Sequence, residues 1–246
     1  MSFINKANYF MKGMKEKPIY VYTKEEETKY ENYIKDSIGE FDKVYHELYS
    51  PDIHVDILII PPTETQNYYK LVTMGMGAYK MNVPDIIKDQ GYDRAELVMY
   101  LPPDWNLKFK TEEDGWVIRQ LKLIARTAIE ENSWVGFGHT FSGDAEATIP
   151  FANNTKLSST ILLYALDKEY EQLHFHLPNK DRINFYQVFP LYKEELEYKQ
   201  KYGTEALMRL FDDKDIIPIV NINRKNYCEN IELDKINDEI EEDLER

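Results

Sequence analysis

Two apolar runs in this chain end in a double proline, and that pairing constrains the fold more than any other feature. The first runs from His54 through Val55, Asp56, Ile57, Leu58 and Ile59 to Ile60 and meets Pro61-Pro62. The second runs from Arg94 to Leu101 and meets Pro102-Pro103-Asp104-Trp105. Proline has no N–H to donate to a ladder, so each pair marks the end of a strand. Both strands are expected to stop at one rim of a sheet. In the second, Ala95, Leu97, Met99 and Leu101 face one way, and Arg94, Glu96, Val98 and Tyr100 the other.

Helical and strand patterns alternate irregularly around these runs. Thr23 followed by Glu26 reads as a capping box. The stripe Tyr30, Tyr33, Ile34, Ile38, Phe41, Tyr45 and Leu48 then predicts one helix through Leu48. Residues 71–76 read as a strand and 83–90 as a short helix or turn. Asp114 is placed to cap a helix through Ile129, with Val117, Leu121, Ile124, Ala125 and Ala128 on one side. The stretch 134–140, with Gly136 and Gly138, is a strand or loop. Residues 159–166 are apolar on both faces, as a doubly covered strand requires. Residues 171–177 and 182–189 make a hairpin around Pro178-Asn179-Lys180-Asp181. A helix from Tyr192 breaks near Gly203, and Thr204 caps a second through Phe211. Residues 216–220 read as a last strand, placed at an edge by Pro218. Helices at the start, middle and end with hairpin neighbours between them indicate an α+β fold. One domain is expected over 23–228, with an N-terminal segment 1–22 and an acidic tail or helix 229–246.

Charge narrows the partners. The chain has 246 residues and a net charge of −14, from 44 acidic and 30 basic side chains. Nucleic-acid binding draws its affinity from a basic face, and no Lys/Arg cluster with interleaved aromatics occurs. Anionic membrane surfaces are disfavoured for the same reason. Half of the net charge sits in 229–246, with nine acidic and two basic residues. There Leu233, Ile236, Ile240 and Leu244 recur at near-helical spacing, readable as an amphipathic helix or a solvated tail. No apolar run approaches the ~20 residues that span a bilayer, and no secretory signal is read at the start. A single cysteine, Cys228, suits a reducing cytoplasm.

The chemical constellations are weak. His174 and His176 share a strand face, but two ligands specify little and no His-Glu-x-x-His pattern supports them. His54 and Asp56 also share a face and could act as an acid–base pair. Gly75-Met76-Gly77 and Gly136-Phe137-Gly138 lack a Walker lysine or a full dinucleotide fingerprint, so bends or bulges are the better reading. Negative charge near Cys228 would raise its thiol pKa and weaken it as a nucleophile. No catalytic residue, metal or cofactor is assigned. The 19 tyrosines, with Trp105, Trp116 and Trp134, suit a recognition surface instead.

The stretches around the double prolines carry a resemblance. They are Ile60-Pro61-Pro62-Thr63-Glu64, Leu71 to Met76, Met81-Asn82-Val83-Pro84, Arg94-Ala95-Glu96-Leu97 and Leu101 to Trp105. Further on come Trp116 with Leu121-Lys122 and Ala125-Arg126, Trp134 to Thr140, Pro150-Phe151-Ala152, Ile183 to Tyr186, Pro190-Leu191-Tyr192 with Glu195, and Tyr202-Gly203 with Ala206-Leu207. In order and over 54–211, they make the chain resemble the suppressor-of-fused domain family. The resemblance implies a mixed, largely antiparallel sheet flanked by helices, and protein binding rather than catalysis. The animal member restrains a transcription factor and holds its peptide between this domain and a second one, so that cleft is not carried over to this chain. Stand-alone bacterial relatives are taken to be immunity proteins that neutralise polymorphic toxins, and an acidic surface would suit a basic toxin domain. On loop position and aromatic character, the expected contacts are Tyr79, Trp105, Phe137 and His139. The alternatives are a regulatory or scaffold module adding a peptide to an edge near 216–220, or a hydrolase using His54, Asp56, His139, His174 and His176.

Overall fold

The computed structural model describes residues 19–166, 171–214 and 217–229. Strands β1 (Lys43–Tyr45), β2 (Asp56–Ile60), β3 (Tyr69–Met74), β4 (Ala95–Leu101), β5 (Thr140–Ser142), β6 (Ser159–Tyr164), β7 (His174–His176) and β8 (Arg182–Leu191) form one sheet. Its order is β1-β2-β3-β4-β8-β6-β5, and β7 also pairs with β8. Among the described strands every pairing is antiparallel except β4 with β8. The sheet is therefore mixed and largely antiparallel, and the fold is α+β. Because β2 and β4 are both antiparallel to β3, they end at the same rim, where both double prolines lie.

Helices cover the two faces unequally. One face is sealed by α2 (Glu112–Glu130), whose Trp116, Val117, Leu121, Ile124 and Ala125 pack on Ile57, Leu71, Leu97, Met99 and Val188. Each such side chain removed from water contributes roughly 1.5–3 kcal/mol. Thr111 is the cap of α2, and Asp114, three residues in, returns a bond to the Thr111 amide (2.9 Å). The opposite face carries α1 (Lys24–Tyr33) at one end and α3 (Lys193–Tyr202) with α4 (Thr204–Asp213) at the other. Tyr30 and Ile34 bury against Leu58, Val72, Val98 and Phe185, while Leu207 and Phe211 bury against Ile161, Phe189 and Leu191.

The Thr23–Glu26 capping box is present, but the helix does not reach Leu48. It widens into one π-helical turn, Ile34–Ile38, and stops at Gly39, whose φ of +145° L side chains rarely adopt. Lys70 Nζ then donates to the orphan carbonyl of Ile38 (2.5 Å). Beyond this point the chain is extended, and Leu48 is fully exposed. The 171–177/182–189 hairpin and the helix break at Gly203 match expectation, with Gly203 rather than Thr204 at the cap position.

The segment 217–220 is a correction. It makes no ladder and lies at no edge. Strands β4 and β8 stay paired only from Ala95↔Asn184 to Val98↔Gln187 and then diverge, β4 towards β3 and β8 towards β6. The segment enters this opening: Val220 N–H donates to Tyr100 O (2.9 Å), and Gln187 Nε2 donates to Pro218 O (2.6 Å). The place where a peptide was expected to extend the sheet is thus in its interior. The chain is held there by Arg224, which pairs with buried Glu195 and stacks on Tyr192, Phe189 and Phe211 (4.8, 5.4 and 5.7 Å).

Under α1 lies a buried carboxylate. Glu96 is fully inaccessible and accepts from Tyr22 Oη (2.6 Å), Thr73 Oγ1 (2.5 Å), Gly75 N (2.9 Å) and Gly77 N (3.0 Å). Burial pushes its pKa up to about 7, against the lowering effect of those donors. Gly75 and Gly77 are required here. A Cβ on Gly75 would stand 1.9 Å from His54 O, and one on Gly77 would stand 2.3 Å from Tyr22 Oη. This accounts for Gly75-Met76-Gly77 as a bend around a carboxylate.

The expected irregularity before Tyr20 and the acidic tail beyond Glu229 lie outside the described residues.

Candidate functional site

Unequal covering leaves a cleft between the two helical groups on the second face of the sheet. Its volume is ≈ 1030 Å³, at the upper end for small-molecule pockets, and it opens to solvent. The floor is Lys70 of β3, Tyr100 of β4, Leu163 of β6 and Gln187 of β8. The turn at 35–40 forms one wall, and Met208, Phe211 and Asp212 of α4 form the other. The loop after the first double proline, with Thr63, Thr65, Gln66 and Tyr68, lines one end. The rim near the sheet's edge is Phe137, stacked on Tyr164 at 4.5 Å.

The lining is aromatic but not purely apolar. Tyr68 meets Tyr100 edge-on at 5.4 Å, and Lys70 lies 6.0 Å from the Tyr68 ring centroid. Burial raises the pKa of the Tyr100 hydroxyl, so it remains a neutral donor throughout the physiological range. Such a surface can bury an apolar side chain while offering hydrogen bonds to the chain that carries it.

The four expected contact residues do not gather at one place. Phe137 is on the cleft rim, with 36% of its surface exposed. His139 follows two residues later, and its ring packs edge-on against Trp134 (4.4 Å). Burial, reinforced by Lys199, lowers its pKa. Trp105 is half-buried: its Nε1 donates to Asp114 O (3.1 Å), tying the second proline loop to α2, and its ring borders a separate hollow of ≈ 780 Å³ beside 217–224. Tyr79 stands edge-on to Tyr20 at 5.1 Å, on the loop that wraps Glu96. Reasoning from sequence overlooked Tyr68, Leu163, Gln187 and Met208. The alternation in β4 did place Tyr100 opposite Leu97 and Met99, but whether a helix covers that face is a tertiary fact.

The histidines do not converge either. Asp56 binds His46 Nδ1 (2.9 Å) and His54 Nε2 (3.1 Å) near the β1 edge, so the expected His54–Asp56 pair forms. His174 and His176 lie on β7, with β3, β4 and β8 intervening, and His139 precedes β5 at the opposite edge. Glu47 joins this Asp56 cluster to α2 through Lys122 (2.9 Å) and Arg126 (2.7 Å); against the opposing effect of burial, the bonds from the Val55 amide and from Lys122 lower its pKa. Among the described residues no group of three or more His, Cys, Asp or Glu is arranged to hold a metal ion. No described helix is long and apolar enough to cross a membrane.

A family model for suppressor of fused protein (SUFU) matches residues 51–225, well over half of the chain. The chain belongs to the suppressor-of-fused family. Its matched region holds the seven strands from β2 to β8 and helices α2 to α4, while α1 precedes it. A relative in Ureaplasma parvum, uncharacterized protein UU111, is 28% identical over 211 residues, covering 85% of this chain and 98% of its own. The crystal structure of a SUFU homolog from Neisseria gonorrhoeae superposes with a TM-score of 0.57 at 16% identity, over 82% of this chain and 96% of that one, and shares the fold. The crystal structure of the Sufu–Fu complex gives a TM-score of 0.48 at 14% identity, over 76% and 79% of the two chains.

Proposed function

We propose that this suppressor-of-fused chain is a non-catalytic binding domain that takes a segment of a partner protein into the cleft over Tyr100, Leu163 and Gln187. The observation that carries this reading is the uncovered, aromatic-lined floor between the helical groups, wide enough for side chains of an extended or helical segment. Family membership supports it, since a Sufu protein has been crystallised in complex with Fu. Within that reading, the partner is a toxin and the chain is its immunity protein, acting by occlusion. The charge of −14 would steer it towards a basic toxin domain and speed encounter. A regulatory scaffold binding a short peptide is the second reading, favoured by the cleft being groove-shaped rather than flat.

Affinity capture from the native host, with the partner identified by mass spectrometry, tests both. Wild-type protein should retain one stoichiometric partner. Phe137→Asp and Tyr68→Asp, which place charge on the cleft lining, should lose it while remaining folded. A toxin encoded beside this gene supports immunity, and rescue of cell growth by co-expression completes that test. Capture unaffected by both substitutions would overturn the cleft assignment.

A further inference from the structure

Arg182 is built differently from the other partly buried arginines. Arg94 reaches Asp181 (3.0 Å) and the carbonyls of Gly77 and Ala78 (2.7 and 3.0 Å). Arg126 binds Glu47 (2.7 Å) and Asp52 (3.2 Å), and Arg224 binds Glu195. Each has carboxylate compensation, as a cation withdrawn from water requires. Arg182 has no hydrogen-bonded or ion-paired partner among the described residues, and its Nε is buried without one. Its chain neighbour Asp181 is already engaged by Arg94 (3.0 Å) and lies 3.8 Å from Lys80.

The surrounding strand face carries imidazole and phenol rings and one amide. Register places His176 directly across from Arg182, His174 across from Asn184 and Tyr164 across from Tyr186, so all six side chains share one face. The two imidazoles stand 5.3 Å apart, and both are exposed. Behind Arg182 the loop passes at Gly91, where a Cβ would sit in ordinary contact with the Arg182 side chain, 3.5 Å from its Cβ. Burial raises the hydroxyl pKa values of Tyr164 and Tyr186, and the Arg182 charge opposes that rise.

We infer that Arg182, flanked by His174, His176 and Tyr164, is a recognition subsite for a carboxylate side chain of a partner protein. An unpaired guanidinium offers a planar fork that a carboxylate fits with two parallel bonds. Register places this patch on the face of Ala95 and Leu97, opposite the one that carries the floor of the cleft. The subsite rests on the chain being a protein-binding domain, but not on the cleft as the main site.

An NMR titration tests it, following the Arg182 side-chain Nε–Hε signal and the His174 and His176 ring signals. The probe is an N-acetylated, amidated tri-glutamate peptide, with tri-glutamine and inorganic phosphate as controls. Tri-glutamate should shift all three groups and saturate in the millimolar range, as one solvent-accessible charged pair allows. Tri-glutamine should not, and phosphate, which a guanidinium can also hold with two bonds, should bind no more tightly than tri-glutamate. Arg182→Gln should abolish the effect, and His176→Asn, an exposed change that leaves folding intact, should weaken it severalfold. Absence of saturation, an equal response to tri-glutamine, or tighter binding of phosphate than of tri-glutamate would each overturn the inference. These readouts are independent of partner capture, so failure here and failure of the cleft reading are distinguishable.

Discussion

Glu96→Gln is the substitution that most sharply tests how this fold is held together. Oε1 of Glu96 receives Tyr22, Gly75 and Gly77, and Oε2 receives only Thr73. A glutamine carbonyl can replace Oε1. Its NH₂ can replace Oε2 if the Thr73 hydroxyl turns to donate towards Leu97 O, 3.5 Å away. The variant should therefore fold. What it removes is a proton linkage. Burial lifts the folded Glu96 carboxyl to about 7, against the ordinary glutamate value of 4.5. Between these pH values the folded state binds more protons than the unfolded one, so stability is fully present below pH 4.5 and is lost as pH rises through 7. At about 1.4 kcal/mol per pH unit of separation, the loss is about 3 kcal/mol. The assay is urea unfolding from pH 4.5 to 8.5 for both proteins. The wild-type curve minus the Glu96→Gln curve cancels the histidines and should fall by about 3 kcal/mol across that window. Parallel profiles, or a difference that rises with pH, would refute the argument. Glu96→Ala should instead cost roughly 3 kcal/mol or more at every pH, because several buried donors lose their acceptor.

Three further outcomes follow from particular contacts. Arg224→Ala should cost about 3–5 kcal/mol in urea unfolding, since fully buried Glu195 would be left without its cation, and Arg224→Met with Glu195→Gln should recover most of that loss. Gly75→Ala, at φ +123° with a Cβ 1.9 Å from a carbonyl oxygen, should abolish cooperative melting, whereas Gly143→Ala, which meets nothing within 4 Å, should change stability by less than about 0.5 kcal/mol. Cys228, buried and pushed up to about 12 by burial first and the Glu195 charge second, should alkylate at pH 8 about a thousandfold more slowly than a free thiol.

Much of the scaffold could be read from local chemistry. Proline has no amide hydrogen, so Pro61-Pro62 and Pro102-Pro103 had to end strands, and both do so at one rim. The turn residues Pro178 to Asp181 predicted the β7–β8 hairpin, and Gly203 predicted the break between α3 and α4, because backbone preference acts over a few residues. The error at Leu48 has an equally local cause: an apolar stripe is necessary for a helix, but one glycine at positive φ ends it. Glu96 was assigned to the right face of its strand, yet nothing in its spacing told that Tyr22, Thr73, Gly75 and Gly77 would enclose it.

The candidate site belongs to the other category. Tyr100, Leu163 and Gln187 meet because a parallel pair joins two antiparallel hairpin systems and then splays, and because α1 and α4 stop short of one another across that floor. Segment 217–220, read as an edge strand from Pro218, lies inside the sheet because the splay left room for it. Arg182 likewise stands out only once every other partly buried arginine is seen with its carboxylate. Sequence by itself determined where strands stop, where turns fall and which side chains alternate, since these follow from the covalent chemistry of neighbouring residues. Tertiary structure decided which face stayed open and which charge stayed unpaired, since both depend on distances between residues far apart in the chain.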